Sequence, residues 1–136
     1  MLPDKQTVSD TLEQIDLPAP QVESISAITL ATHDMARAVR FYQALGFVLK
    51  HGGGTEGFST FSVGTSYLNL IADTRGPIKW WGRVIFYVSD VDAMYTRALA
   101  QGFVPESAPR DAPWAERFFH IDDPDGHELS FARPLR

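Results

Sequence analysis

An internal repeat constrains this chain more than any other feature. Displaced by 56 residues, segment 27–48 falls on 83–104 without a gap. Asp34 meets Asp90, Ala44 meets Ala100, and Gly46-Phe47-Val48 meets Gly102-Phe103-Val104. Apolar character also matches: Ile28 with Val84, Leu30 with Phe86, Met35 with Val91, Val39 with Tyr95.

Each copy opens on a run with period-two apolar residues, Ile28 and Leu30 in one, Val84, Phe86 and Val88 in the other, which suits a strand. Asp34 and Asp90 then read as N-caps of helices. Met35, Ala38, Val39, Tyr42 and Leu45 give the first helix one apolar stripe, as Val91, Met94, Tyr95, Ala98 and Leu99 do for the second. Gly46 and Gly102 end the helices as left-handed C-caps. Three further strands are predicted in each copy, near 47–51, 57–63 and 66–72, then near 103–106, 116–121 and 127–132. Gly52-Gly53-Gly54 reads as a mobile lip or a turn. Asp123-Pro124-Asp125-Gly126 has the composition of a type I turn.

The expected fold class is therefore α+β: two βαβββ modules pack together, forming a cup-shaped mixed sheet with helices on its outer face. Residues 1–24 read as an N-terminal arm with a short helical pattern from Val8 to Ile15. A single domain is expected over 25–134, from module 25–73 and module 82–134, with linker 74–81 carrying Trp80 and Trp81.

Twelve basic residues against seventeen acidic ones, a net charge of −5, argue against a partner bound through its phosphates, so no nucleic acid is expected. With no cysteine, thiolate metal ligands, disulfides and a cysteine nucleophile are excluded. Neither a membrane-length apolar run nor the pattern of a secretory signal stands in the sequence, and a soluble cytoplasmic protein is the expectation. Neither Gly-x-Ser-x-Gly nor His-Glu-x-x-His occurs, so hydrolase and zinc-protease chemistry lack support.

The doubled unit, opening on DMARAVRFYQALGF and on RVIFYVSDVDAMYTRALAQGF and closing on HIDDPDGHELSF, resembles the vicinal oxygen chelate superfamily of glyoxalases, bleomycin-resistance proteins and dioxygenases. The resemblance covers residues 25–134 and implies that fold. It does not fix a reaction, because the superfamily holds isomerases, transferases, dioxygenases and non-catalytic drug binders. Its catalytic members hold a divalent metal on four side chains from the first and last strand of each module. Carried over, these fall on Ala27, Asn69, Arg83 and Ser130. Ala27 has no donor atom, Arg83 is cationic, and Asn69 and Ser130 offer only weak neutral oxygens. The resemblance is thus closest to the metal-free bleomycin-resistance-type binders, with no cofactor. It further implies a homodimer.

Alternation assigns the cup face: Ala27, Thr29 and Ala31; Tyr67, Asn69 and Ile71; Arg83, Ile85 and Tyr87; Glu128 and Ser130. Arg83 and Glu128 are expected either to pair as a polar anchor or to leave Arg83 at a strand start reaching water. Trp114 after Pro113 is similar to the groove aromatic of bleomycin-resistance-type proteins. Phe61, Tyr67 and Phe118 add stacking surface to it, or the aromatics fill core and dimer interface instead. The expected ligand-binding residues are Arg83, Asn69, Tyr67, Tyr87, Phe61, Trp114, Phe118, Glu128 and Ser130, and the expected ligand is a small aromatic or drug-like molecule bound without metal. The alternative is a lyase, isomerase or dioxygenase using Glu128 or His120 as general base, or a non-standard metal site of Glu128 with His120 or His127. A third reading is a regulatory module with its pocket closed by Trp114 and Phe118. His33 and His51 read as surface residues.

Overall fold

Both helices begin and end on the devices that the repeat predicts. Asp34 and Asp90 sit in extended backbone, and their carboxylates accept from the backbone N–H of Arg37 at 3.0 Å and of Ala93 at 2.9 Å. Gly46 and Gly102 stand at φ +99° and +87°, where a side chain is costly. Past each glycine the chain turns back, with the N–H of Phe47 donating to Tyr42 and that of Phe103 to Ala98.

The computed structural model describes residues 20–73, 76 and 82–136; the helical pattern over 8–15 and the Trp80-Trp81 pair lie outside them. The elements are β1 (Ala27–Thr32), α1 (Met35–Ala44), β2 (Val48–His51), β3 (Phe58–Val63), β4 (Ser66–Ala72), β5 (Arg83–Tyr87), α2 (Val91–Ala100), β6 (Arg110–Asp111), β7 (Glu116–Asp122) and β8 (Glu128–Pro134). They form two βαβββ modules. Each module makes its own four-stranded mixed sheet, ordered β1-β4-β3-β2 and β5-β8-β7-β6, with the first strand parallel to the last and the rest antiparallel.

The helix-side faces merge into one core. Leu30, Phe61, Leu68, Leu70, Val84, Phe86, Phe119, Ile121, Leu129 and Phe131 all lie there with the stripe of α1, whose Tyr42 and Leu45 are fully buried. Phe47 couples the modules, its ring in edge-on contact with Phe86 at 5.1 Å and with Phe61 at 6.1 Å. In α2 only Val91 and Ala98 are buried, and Leu99, expected in the stripe, is exposed.

The strand expected near 103–106 does not form. Phe103 still packs on the core and Glu106 N–H donates to the His120 carbonyl of β7 at 2.9 Å, but the ladder beside β7 is made by Arg110–Asp111.

The Asp123–Gly126 turn fastens one module to the other. Its closing bond runs from Gly126 N–H to Asp123 O at 2.9 Å. Tyr42 of α1 donates its hydroxyl to Asp123 at 2.7 Å inside the protein, and His127 Nε2 lies 2.7 Å from the Ala31 carbonyl. Asp125, with its side chain fully covered, accepts from the His33 backbone N–H at 2.9 Å and from Arg37 at 3.2 Å. His33, exposed as its reading as a surface residue has it, joins this junction through its backbone N–H. Burial, then the charge of Asp123, holds the Tyr42 phenol well above its ordinary value, and burial raises the Asp123 carboxyl despite the hydrogen bonds it accepts.

Candidate ligand-binding site

The faces opposite the helices carry the residues that alternation assigns to them. Val84, Phe86, Leu129 and Phe131 turn into the core, so Arg83, Ile85 and Tyr87 of β5 and Glu128 and Ser130 of β8 take the other face. On the first sheet Leu68 and Leu70 are buried, which sets Tyr67, Asn69 and Ile71 opposite. Ile85 and Tyr87 remain about 60% and 62% exposed, an unusual state for such side chains in mid-sheet.

Phe61 departs from the expectation. It pairs with Leu68 across β3 and β4, shares its face, is fully buried, and contacts Tyr42 at 5.6 Å. It is a core residue and lines no ligand surface. Phe118 and Ser130 lie on the open face but are covered. Phe118 sits between the Trp114 ring, stacked at 5.8 Å and 28°, and the Arg110 guanidinium at 4.8 Å. Ser130 is buried between Ile85 and His120 on the neighbouring strands.

Trp114 is the exposed part of this stack, 65% open, and its indole N–H donates to Glu116 at 3.1 Å. The Tyr87 hydroxyl donates to the other oxygen of Glu116, which raises the phenol above its ordinary value. One carboxylate therefore holds two aromatic rings from different elements. Ala115, next in the chain, has φ +67°, a left-handed conformation that an alanine adopts at a cost. This conformation directly follows a tight turn closed by Ala115 N–H to Ala112 O at 3.0 Å and lets Ala112 N–H donate to the Glu116 carbonyl at 2.7 Å.

Arg83 and Glu128 pair, as one of the two expectations has it: they are register partners, and Arg83 Nε donates to the carboxylate at 2.6 Å. His120 lies 3.2 Å from Glu106 through Nδ1, and its ring is tilted against that of Phe118 with centroids 4.9 Å apart. His127 is on the core side of β8, drawn to Ala31, and does not share a face with Glu128. Asp122 is raised above its ordinary value by burial and by the charges of Glu128 and Glu106.

The superfamily's metal does not fit these residues. Ala27 offers no donor, Arg83 faces Glu128, Ser130 is covered, and Asn69 is bound at both ends, accepting from Thr60 at 2.8 Å and donating to Thr29 at 3.2 Å. Among the described residues no three His, Asp or Glu side chains are grouped as metal ligands.

Lys50, which the sequence reading did not single out, and His51, read as a surface residue, also belong to the open face. Lys50 and His51 line a cavity with Tyr67 and Asn69 on the first sheet. The signal that could have revealed them, an irregularity in β2, is visible only in the pairing register.

Comparison with known proteins bears on the family and the fold. Residues 24–131 match the family described as the Glyoxalase/Bleomycin resistance protein/Dioxygenase superfamily. An uncharacterised protein of Mycolicibacterium smegmatis is 30% identical over 114 residues, 82% of this chain and 95% of that one. The chain spans about a third of an uncharacterised Mycobacterium bovis relative, with 41% identity over 49 residues that cover 32% of it. Among solved structures, a glyoxalase/bleomycin resistance protein/dioxygenase from Nocardioides superposes with TM-score 0.72 at 23% identity, covering 94% of each chain. The bleomycin resistance determinant encoded on transposon Tn5 gives 0.69 at 20% identity, covering 84% of this chain and all of that one.

Proposed function

The chain belongs to the Glyoxalase/Bleomycin resistance protein/Dioxygenase superfamily, and from that premise we propose that it binds a small planar, aromatic or conjugated molecule without a metal ion, as drug-sequestering proteins do. The observation that carries this is the Trp114–Glu116–Tyr87 arrangement: two exposed rings held by one carboxylate on an open sheet face. Rings fixed in advance lose little freedom on stacking against a ligand, which favours affinity. Sequestration asks only for affinity, and the inherited ligand positions supply no metal site that would ask for more. The likeness to the Tn5 determinant supports the fold of such a binder and nothing finer.

A homodimer is part of the proposal, because a second copy would cover the exposed Ile71 and Ile85. No described helix is long and apolar enough to cross a membrane. Calorimetric titration with 2-naphthylmethanol, 2-naphthoate and 2-naphthylmethylammonium tests the reading. Saturable binding of at least one, weakened about tenfold in Trp114→Ala, is expected for the loss of one well-packed ring. Failure of all three to bind, or binding unchanged in Trp114→Ala, would overturn it.

A second reading is an enzyme of the lyase, isomerase or dioxygenase kinds. It is favoured by the His120–Glu106 contact on the open face, an imidazole–carboxylate pair able to take up a proton. It predicts a turnover lost in His120→Gln while naphthyl binding persists.

A further inference from the structure

Strand β2 holds one residue more than its partner can match. Leu49 pairs with Phe61 and His51 with Thr60, which leaves Lys50 between them as a bulge. A regular strand would send Lys50 and His51 to opposite faces. Here Leu49 packs on the core, the Lys50 ammonium lies 5.5 Å from the centre of the Tyr67 ring, and His51 lines the same cavity.

The loop behind the bulge is held in place. Gly52 has φ +84°, and a Cβ there would sit 2.3 Å from the Phe58 carbonyl oxygen, so only glycine allows the approach. The buried Ser59 hydroxyl accepts from Gly53 N–H at 2.9 Å and donates back to its carbonyl at 3.2 Å. Gly52-Gly53-Gly54 is thus a pinned turn.

The cavity in front of the bulge measures about 440 Å³, and none of the residues lining it is acidic. Its polar wall is a directed chain in which Thr60 donates to Asn69 and Asn69 to Thr29. The chain consumes the amide oxygen of Asn69 internally. It leaves a second Asn69 N–H and the Thr29 hydroxyl hydrogen as donors. Tyr67 and Phe58 supply flat apolar surface beside them.

We propose that the β2 bulge builds a carboxylate subsite, in which Lys50 and His51 hold the anionic end of a planar organic acid lying against Tyr67 and Phe58. This deepens the reading of a small-molecule binder, and it assigns the anionic end of the ligand to the first sheet. The second sheet carries Glu116 and Asp122 on its open face, and its Arg83 is already held by Glu128, so the same group is disfavoured there.

The test is calorimetric titration of 2-naphthoate and 2-naphthylmethanol into the wild type, Lys50→Met and Trp114→Ala. Lys50 is exposed, and circular dichroism verifies that the variant folds. Naphthoate is expected to bind the wild type more tightly than the alcohol. Lys50→Met should weaken naphthoate about tenfold, the effect of losing one charge-assisted hydrogen bond, and leave the alcohol nearly unchanged. Naphthoate binding no tighter than the alcohol, or equal losses for both in Lys50→Met, would overturn the subsite. The two proposals fail separately. Naphthoate lost in Lys50→Met but indifferent to Trp114→Ala keeps the subsite and removes the aromatic shelf. Alcohol binding that depends on Trp114, with no preference for the acid, does the reverse.

Discussion

Arg83 and Glu128 stand directly opposite one another in the parallel β5–β8 ladder, with Arg83 Nε donating to the carboxylate at 2.6 Å. Both side chains keep water contact, 33% and 24% exposed, so solvent screens the attraction. Such a pair contributes at most about 1 kcal/mol to stability. Its consequence is for charge: it neutralises the one cation that the first strand of the second module brings to the open face.

Removing that cation should therefore change selectivity more than stability. Arg83→Met is expected to shift the unfolding free energy by less than about 1 kcal/mol. It should strengthen binding of 2-naphthylmethylammonium by about threefold to tenfold, because Glu128 and Asp122 are then left uncompensated. Chemical denaturation and titration of the same variant measure both quantities. Strong destabilisation with no change in charge preference would show that the pair is a structural clamp.

The junction between modules predicts an alkaline signature. Tyr42 donates to Asp123 within the core, and its phenol is held well above its ordinary value of 10.0 by burial first and by Asp123 second. A group whose value is raised by folding stabilises below its unfolded value and loses that contribution as pH rises through the folded one. Unfolding free energy should thus fall as pH climbs past about 10, and the fall should be shallower in Tyr42→Phe. At neutral pH Tyr42→Phe should cost about 1–3 kcal/mol, since the buried Asp123 oxygen loses its donor. Equal alkaline slopes in the two proteins would exclude Tyr42 as the source.

Ala115 predicts a trade between stability and binding. Its left-handed backbone at φ +67° carries a cost of about 1 kcal/mol that glycine avoids. Ala115→Gly should therefore raise the thermal midpoint or leave it unchanged. It should weaken naphthyl binding, because the turn that fixes Trp114 becomes freer. A variant that binds as tightly as the wild type would show that Trp114 is positioned by its bond to Glu116 alone.

The repeat made the fold legible because each copy carries its own signals. Asp caps, apolar stripes and reversed glycines are local, and local chemistry is read directly from residue order. The same holds for the faces of β1, β4, β5 and β8, where alternation placed Tyr67, Asn69, Arg83, Tyr87 and Glu128 on the open side. Register between strands is not local. Phe61 reads equally well on either face until its pairing with Leu68 sends it inward. The bulge that turns Lys50 and His51 to one side exists only as a mismatch with β3. His127 looks like a neighbour of Glu128 in sequence, yet that one-residue step puts the two on opposite faces. The strand expected near 103–106 reduces to one bond, from Glu106 N–H to the His120 carbonyl, an outcome of pairing and not of residue order.

Metal-independent aromatic binding is tested most directly by titrating the naphthyl probe that binds best into protein dialysed exhaustively against EDTA, with metal content followed by elemental mass spectrometry. The prediction is an affinity unchanged by dialysis, less than one equivalent of metal per chain before and after, and loss of binding in Trp114→Ala. Binding abolished by EDTA and restored by Zn, Ni, Mn or Fe(II), with about one metal ion retained per chain, would contradict it.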